Sequence, residues 1–161
     1  MLSTKICRRR GERYELVGST KKSLTSLNVP NTVKLTSQGV THTYKVVRIN
    51  ATAFKGCKKL KKVTIGKYVM QINSRAFMGC TKLASVNMKG SELMKIGDAC
   101  FAGDKSLKKI VIKSKKLTKV GKNALKGIHK KCKIKVAKSK VKKYKKIFKK
   151  RGQKKTVKLT K

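Results

Sequence analysis

Acidic residues are nearly missing from this chain. Among 161 residues there are five, Glu12, Glu15, Glu92, Asp98 and Asp104, against 46 Lys and Arg, for a formal net charge of +41. No two of these acids stand at a spacing that reveals an acid/base couple, which argues against hydrolytic chemistry. Histidine is as scarce: His42 and His129, with Cys132 three residues beyond the second as the one nearby ligand type. The five cysteines, Cys7, Cys57, Cys80, Cys100 and Cys132, are odd in number and contain no C-x-x-C pair. Neither a disulfide framework nor a zinc site is spelled out. Phosphate-cradling glycine loops and nucleophile elbows are missing as well. The expectation is a protein that is not an enzyme and uses no metal or cofactor.

Other absences narrow the class. There is no tryptophan and aromatics make up 5%, so platforms for stacking bases are few. Of the basic residues 39 are Lys and seven are Arg, the latter concentrated in "CRRRGER". Lysine is a hydrated point charge, whereas arginine suits bidentate reading of phosphates and bases. Diffuse attraction to polyanions is therefore favoured over sequence recognition. No apolar run reaches the length of a membrane span. The opening "MLSTKICRRRGERYELV" lacks the apolar stretch of a secretory signal. Yet 39% of residues are apolar, enough for one folded domain. Self-repulsion at +41 opposes compaction, so the burial that holds the chain together must recur.

What recurs is a unit. "INATAFKGCKKLKKVTI" begins at Ile49, "INSRAFMGCTKLASVNM" at Ile72, "IGDACFAGDKSLKKIVI" at Ile96 and "VGKNALKGIHKKCKIKV" at Val120, with offsets of 23, 24 and 24 residues. In this register a bulky position holds Phe54, Phe77, Phe101 and Leu125, preceded by Ala53, Ala76, Cys100 and Ala124. Leu60, Leu83 and Leu107 form another column, although the fourth unit has Lys131 there. Glycine stands two residues after the bulky position, at Gly56, Gly79, Gly103 and Gly127. Cys57 and Cys80 share one position, taken by Asp104 and Ile128 in the later units. "VTI", "VNM", "IVI" and "IKV" alternate as short half-buried strands do. Apolar pairs upstream, such as Val69 with Ile72, predict a second short strand or an extended corner. "AFxGC" reads as a helical turn that its glycine lets the chain leave. A unit this short cannot close a core alone, but stacked units share one.

Over Val46 to Val136 the chain resembles leucine-rich repeat proteins of the BspA-like type, whose unit runs roughly "I-x-x-x-A-F-x-x-C-x-x-L-x-x-V-x-I". The resemblance implies a β-rich α/β solenoid, a right-handed stack of about four units. It also implies a cell-surface or extracellular setting and partner binding or adhesion. The domain layout expected is a basic, flexible segment over 1–12, a β-rich cap over 13–45, the repeats over 46–136 and a C-terminal cap over 137–161. In that cap, "KSKVKKYKKIFKKRGQ" places Val141, Tyr144, Ile147 and Phe148 on one helical face between Ser139 as N-cap and Gly152 as terminator. The alternative is a free basic amphipathic helix for an anionic membrane or a calmodulin-like groove. "KKTVKLTK" then reads as a closing strand.

The expected repeat core is Phe54, Phe77, Phe101 and Leu125 with Cys57 and Cys80. A disulfide between those two cysteines is conceivable but not required. The outward strand positions Thr64, Asn87, Val111 and Lys135 form a candidate binding column. Lys58, Lys59, Lys61, Lys62, Lys82, Lys105, Lys108, Lys109, Lys130 and Lys133 form a candidate polyanion-contacting flank. Expected partners are a protein or an anionic glycan, such as a host glycosaminoglycan or a cell-wall polymer. The competing reading is a basic protein that binds nucleic acid without sequence preference.

Overall fold

The computed structural model describes residues 5–10, 13–19, 23–88, 90 and 92–161, with the backbone alone for 5–10. Its strands are β1 (Lys5–Arg10), β2 (Arg13–Ser19), β3 (Ser26–Asn28), β4 (Thr32–Ser37), β5 (Val40–Ile49), β6 (Lys62–Thr64), β7 (Gln71–Ile72), β8 (Ser85–Met88), β9 (Lys95–Ile96), β10 (Lys109–Ile112), β11 (Lys119–Val120), β12 (Lys133–Val136) and β13 (Lys158–Thr160). One helix, α1 (Val141–Phe148), precedes β13. The strands fall into two sheets. The first runs β1-β2-β5-β7-β9-β11 with β4 hairpinned onto β5, and the second runs β3-β6-β8-β10-β12-β13. Each repeat gives one strand to each sheet, and neighbours within the repeats pair in parallel.

The chain is thus a coil in which every rung repeats the same pairing. Between a first-sheet strand and the next second-sheet strand the chain runs through a string of turns. The sequence suggested a helical turn there. Instead, bonds back three residues (Lys55 N–H to Thr52 O, 2.9 Å; Cys57 N–H to Phe54 O, 3.2 Å) alternate with bonds to the next rung (Phe54 N–H to Ala76 O and Gly56 N–H to Met78 O, both 2.8 Å). The alternation requires the backbone to reverse its amides within a few residues. Left-handed residues do this at two places per rung. One is the repeat glycine, with φ of 72°, 76°, 81° and 73° at Gly56, Gly79, Gly103 and Gly127. The other is not glycine at all: Thr52, Arg75, Ala99 and Asn123 have φ of 58°, 57°, 49° and 54°. Only asparagine among these four favours that region, and a β-branched threonine is strained in it.

The coil encloses one continuous apolar core. Phe54 and Phe77 stack at 5.4 Å between ring centroids, and Phe77 and Phe101 at 5.6 Å, with planes within 8° and 5° of parallel. All three rings are buried, as are Leu125 and the Leu, Ile and Val columns of both sheets. Cys57, Cys80, Cys100 and Cys132 are buried as thiols rather than disulfides. Cys132 fills the place that the leucine column leaves open in the fourth unit. Lys131 stands at the leucine position by alignment, but it is exposed, and Cys132 fills the interior one residue later. The backbone accommodates the shift: Cys132 N–H donates to His129 O, as Leu107 N–H does to Asp104 O.

Both ends are built as imperfect rungs. At the start, β2 and β3 take the places of first- and second-sheet strands, pairing in parallel with β5 and β6. Residues 5–10, expected to be part of a flexible segment, form β1, antiparallel to β2 and paired as the outer strand of the first sheet. Expectations for residues 1–4 and 11–12 lie outside the described residues. At the far end α1 replaces the two-residue first-sheet strand. Tyr144 and Phe148 are buried, with Val141 and Ile147 packed against the core. The Tyr144 hydroxyl donates to Ser114 O (2.8 Å) and accepts from Leu117 N–H (3.1 Å). The helix is therefore a docked cap. Ser139 does not cap it; it lies in a 3-10 turn, and the N-cap is Lys140 with no side-chain bond. Beyond α1, Arg151 O accepts from Leu125 N–H (2.9 Å), the same role Ala124 O plays for Phe101. β13 then extends the second sheet beside β12.

Two substitutions test this packing. Phe77→Ala removes the ring flanked on both sides and should cost about 3–5 kcal/mol in urea denaturation. Thr52→Asn, which relieves a left-handed threonine, should raise stability by about 0.5–1 kcal/mol in the same measurement.

Candidate functional site

Period-two alternation on parallel strands turns single residues into columns. In the second sheet Val63, Val86, Ile110 and Ile134 face the core and their neighbours face out. One outward column runs Asn28–Thr64–Asn87–Val111–Lys135–Thr160 in strand register. The structure thus aligns Thr64, Asn87, Val111 and Lys135, the first three half-buried and Lys135 exposed. A second column, Ser26–Lys62–Ser85–Lys109–Lys133–Lys158, lies beside it. Its last three members put ammonium groups on adjacent strands spaced about 4.8 Å apart, and like charges directly opposite repel.

The turn face adds more of the same charge. Lys58, Lys59, Lys61, Lys62, Lys82, Lys105, Lys108, Lys109, Lys130 and Lys133 are all exposed. The described acids lie elsewhere. Glu15 pairs with Arg48 at 3.1 Å, Glu92 with Lys116, and the Asp98 carboxylate accepts from Lys122 N–H at 2.8 Å, all along the first sheet and its flanks. Asp104 belongs to the turn face but points inward and is fully buried. Among the described residues, then, no acidic side chain is exposed on the second sheet.

At the corner between the turns and the second sheet lies a cleft of about 450 Å³, lined by Lys61, Lys82, Lys105, Lys108 and His129 among others. A larger cleft, about 970 Å³, lies beside the β4–β5 hairpin. Arg13, His42, Tyr44, Lys45, Tyr68 and Glu92 line it. The Lys45 ammonium sits 4.9 Å from the Tyr68 ring centre. The sequence pattern singled out none of these as a site. The available signal was that Tyr14, Tyr44 and Tyr68 belong to no repeat column while every repeat phenylalanine does.

His129 and Cys132 are not assembled into a couple: the His129 Nδ1 accepts from Lys131 N–H at 3.1 Å, and burial pushes the Cys132 thiol up to about 12. Burial, with the Asp104 carboxyl second, also raises Cys80 and Cys100, which leaves them as unreactive thiols. No cluster of three or more metal-ligating side chains occurs among the described residues. Asp104 occupies the repeat's cysteine position. One carboxyl oxygen accepts from Cys80 N–H at 2.8 Å, and the other has no partner. Burial pushes the carboxyl up to about 9, against the opposing pull of the Cys80 and Gly79 amides, so it is neutral at pH 7.

These features define a leucine-rich repeat solenoid. The sequence model of the BspA type leucine rich repeat region, in six copies, matches residues 20–154. The chain belongs to that family. Among solved structures, a leucine-rich repeat protein from Bacteroides ovatus superposes with a TM-score of 0.66 at 24% identity over 86% of this chain and 37% of its own. The Treponema pallidum leucine rich repeat protein gives 0.58 at 19% identity over 84% and 70%. A leucine rich cell surface protein from Faecalibacterium prausnitzii gives 0.57 at 17% over 84% and 46%. The chain thus spans little more than a third of the Bacteroides ovatus protein, and at these identities the likeness is one of fold. No curated protein matches the chain. No described helix is long and apolar enough to cross a membrane.

A pH test follows from Asp104. Its folded value lies above the unfolded value near 3.9, so its stabilising contribution is complete below about pH 4 and is lost as pH rises through about 9. Asp104→Cys restores the residue of Cys57 and Cys80, and the Cys80 amide keeps its bond to Phe77 O. Thermal denaturation at pH 5, 7 and 9 should show a smaller fall in Tm for this variant than for the wild type.

Proposed function

We propose that this protein is a non-enzymatic binding module of a cell-surface or secreted protein. Its second-sheet face and lysine flank hold an anionic partner, an anionic glycan before an acidic protein. The observation that carries this reading is the segregation of charge. Eleven exposed lysines, the ten of the flank and Lys158, lie on the second sheet and the turns that lead into it, while the described acids are paired along the first sheet and its flanks or buried. Repulsion within the Lys109–Lys133–Lys158 column is relieved by any polyanion that spans it. Leucine-rich repeat stacks use such extended surfaces for binding. The surface location is supported by the Faecalibacterium prausnitzii protein of the same fold, which is a cell surface protein.

The charge also favours nucleic acid, as a non-specific and strongly salt-dependent partner. Lysine in place of arginine and the lack of Phe, Tyr or Trp in the lining of the basic corner weigh against base recognition. The test is retention on heparin, on purified wall teichoic acid and on duplex DNA at about 150 mM salt, where the screening length is about 8 Å. Retention on at least one glycan, with DNA released, is expected. Release from both glycans removes the polyanion reading, and a DNA sequence preference at that salt replaces it.

A further inference from the structure

The basic corner cleft has a floor that two gaps create. Backbone bonds stack Lys61, Ala84 and Lys108 on successive rungs (Ala84 N–H to Lys61 O, 2.9 Å; Lys108 N–H to Ala84 O, 3.0 Å). In that column alanine interrupts two lysines. In the neighbouring position, held by Lys82, Ser106 and, after the one-residue shift of the fourth unit, Lys131, serine interrupts likewise. The missing side chains open the cleft of about 450 Å³, and Lys61, Lys82, Lys105 and Lys108 stand around it. His129 also lines it. Its Nδ1 accepts from the Lys131 amide, so the neutral ring carries its hydrogen on Nε2 as a donor.

Resting on the function proposed above, we infer that this cleft seats a linear anionic glycan lying along the stacking axis, across the strands. The walls come from successive rungs about 4.8 Å apart, about the length of one sugar residue in an extended chain, and Lys61, Lys82 and the Lys105–Lys108 pair give each of three rungs at least one lysine. A glycan with a sulfate, carboxylate or phosphate on each sugar, or on every second one, meets a lysine at each step. Flexible ammonium groups adapt to any of these anions, whereas a fixed guanidinium fork would select among them. The cleft offers polar and small side chains to sugar hydroxyls and no Phe, Tyr or Trp to a base.

The experiment compares two variants of equal charge with the wild-type chain. The cleft variant carries Lys61→Gln, Lys82→Gln, Lys105→Gln and Lys108→Gln. The control carries Lys119→Gln, Lys122→Gln, Lys142→Gln and Lys143→Gln, four exposed lysines on the first-sheet side and on α1. A third variant, Ala84→Gln with Ser106→Gln, fills the floor without changing charge. Affinities for size-defined heparin, hyaluronan and wall teichoic acid are measured at about 150 mM salt, with thermal melts verifying that each variant folds. The cleft variant should lose about tenfold or more in affinity, the control about threefold or less, and the filled variant should weaken binding at constant charge. Equal losses in cleft and control variants, or full affinity in the filled variant, overturn the assignment while leaving the general polyanion reading intact. Failure of the wild type to bind any of the three glycans overturns both. The three glycans distinguish sulfate, carboxylate and phosphate as the anion recognised, and duplex DNA held as tightly as the best glycan overturns the choice of a glycan.

Discussion

Burial shared between successive rungs is the interaction on which this structure depends. A chain at +41 gains nothing from bringing its surface charges together, and a single rung has too few apolar groups to offset that. Stacking supplies the remainder because the apolar residues of each rung are covered by those at the same positions of the neighbouring rungs. The ring stack Phe54–Phe77–Phe101 is the clearest instance. The backbone follows the same logic. Each strand and many turn amides bond to the next rung, so few polar groups are left facing the interior.

Repetition also creates the problem of ends, since an open rung exposes both core and strand edge. The molecule answers with rungs of changed composition. The β2–β3 pair begins the coil with the same parallel pairing the repeats use, and the β4–β5 hairpin projects from it. At the other end α1 takes the place of a strand only two residues long, covering more apolar area than a strand could. Tyr144 ties the helix to the loop before β11 through both functions of its hydroxyl. The chain then resumes the coil at Arg151 and β13.

Charge follows from what the core leaves over. Inward positions are fixed by packing, so the lysines occupy what remains, and the repeat copies them into columns. The second sheet gathers these columns while the described acids sit along the first sheet, each with a basic side chain or a backbone amide beside it. Asp104 is the exception. It replaces a buried cysteine and is held neutral by its surroundings, so it contributes no negative charge to the turn face at pH 7. Alanine and serine at two otherwise lysine-bearing positions turn a charged ridge into a cleft.

The stack, its core columns and its outward columns were determined by the sequence alone, because a 23–24-residue period and strand alternation are properties of spacing. Thr64, Asn87, Val111 and Lys135 share a column for that reason. Only the tertiary structure decided the rest. Left-handed Thr52, Arg75 and Ala99 carry no residue-type signal; the next rung imposes their conformation through its carbonyls. Cys132 in place of the expected leucine depends on a turn that can shift by one residue. The segment 5–10 looks polar and unstructured by composition, and it is a strand because β2 offers it an edge. The corner cleft joins residues from four rungs, and its floor is defined by side chains that are small beside larger neighbours. A linear sequence records which residues are present, but a cavity depends on what surrounds the space, and that is set only when the rungs are stacked.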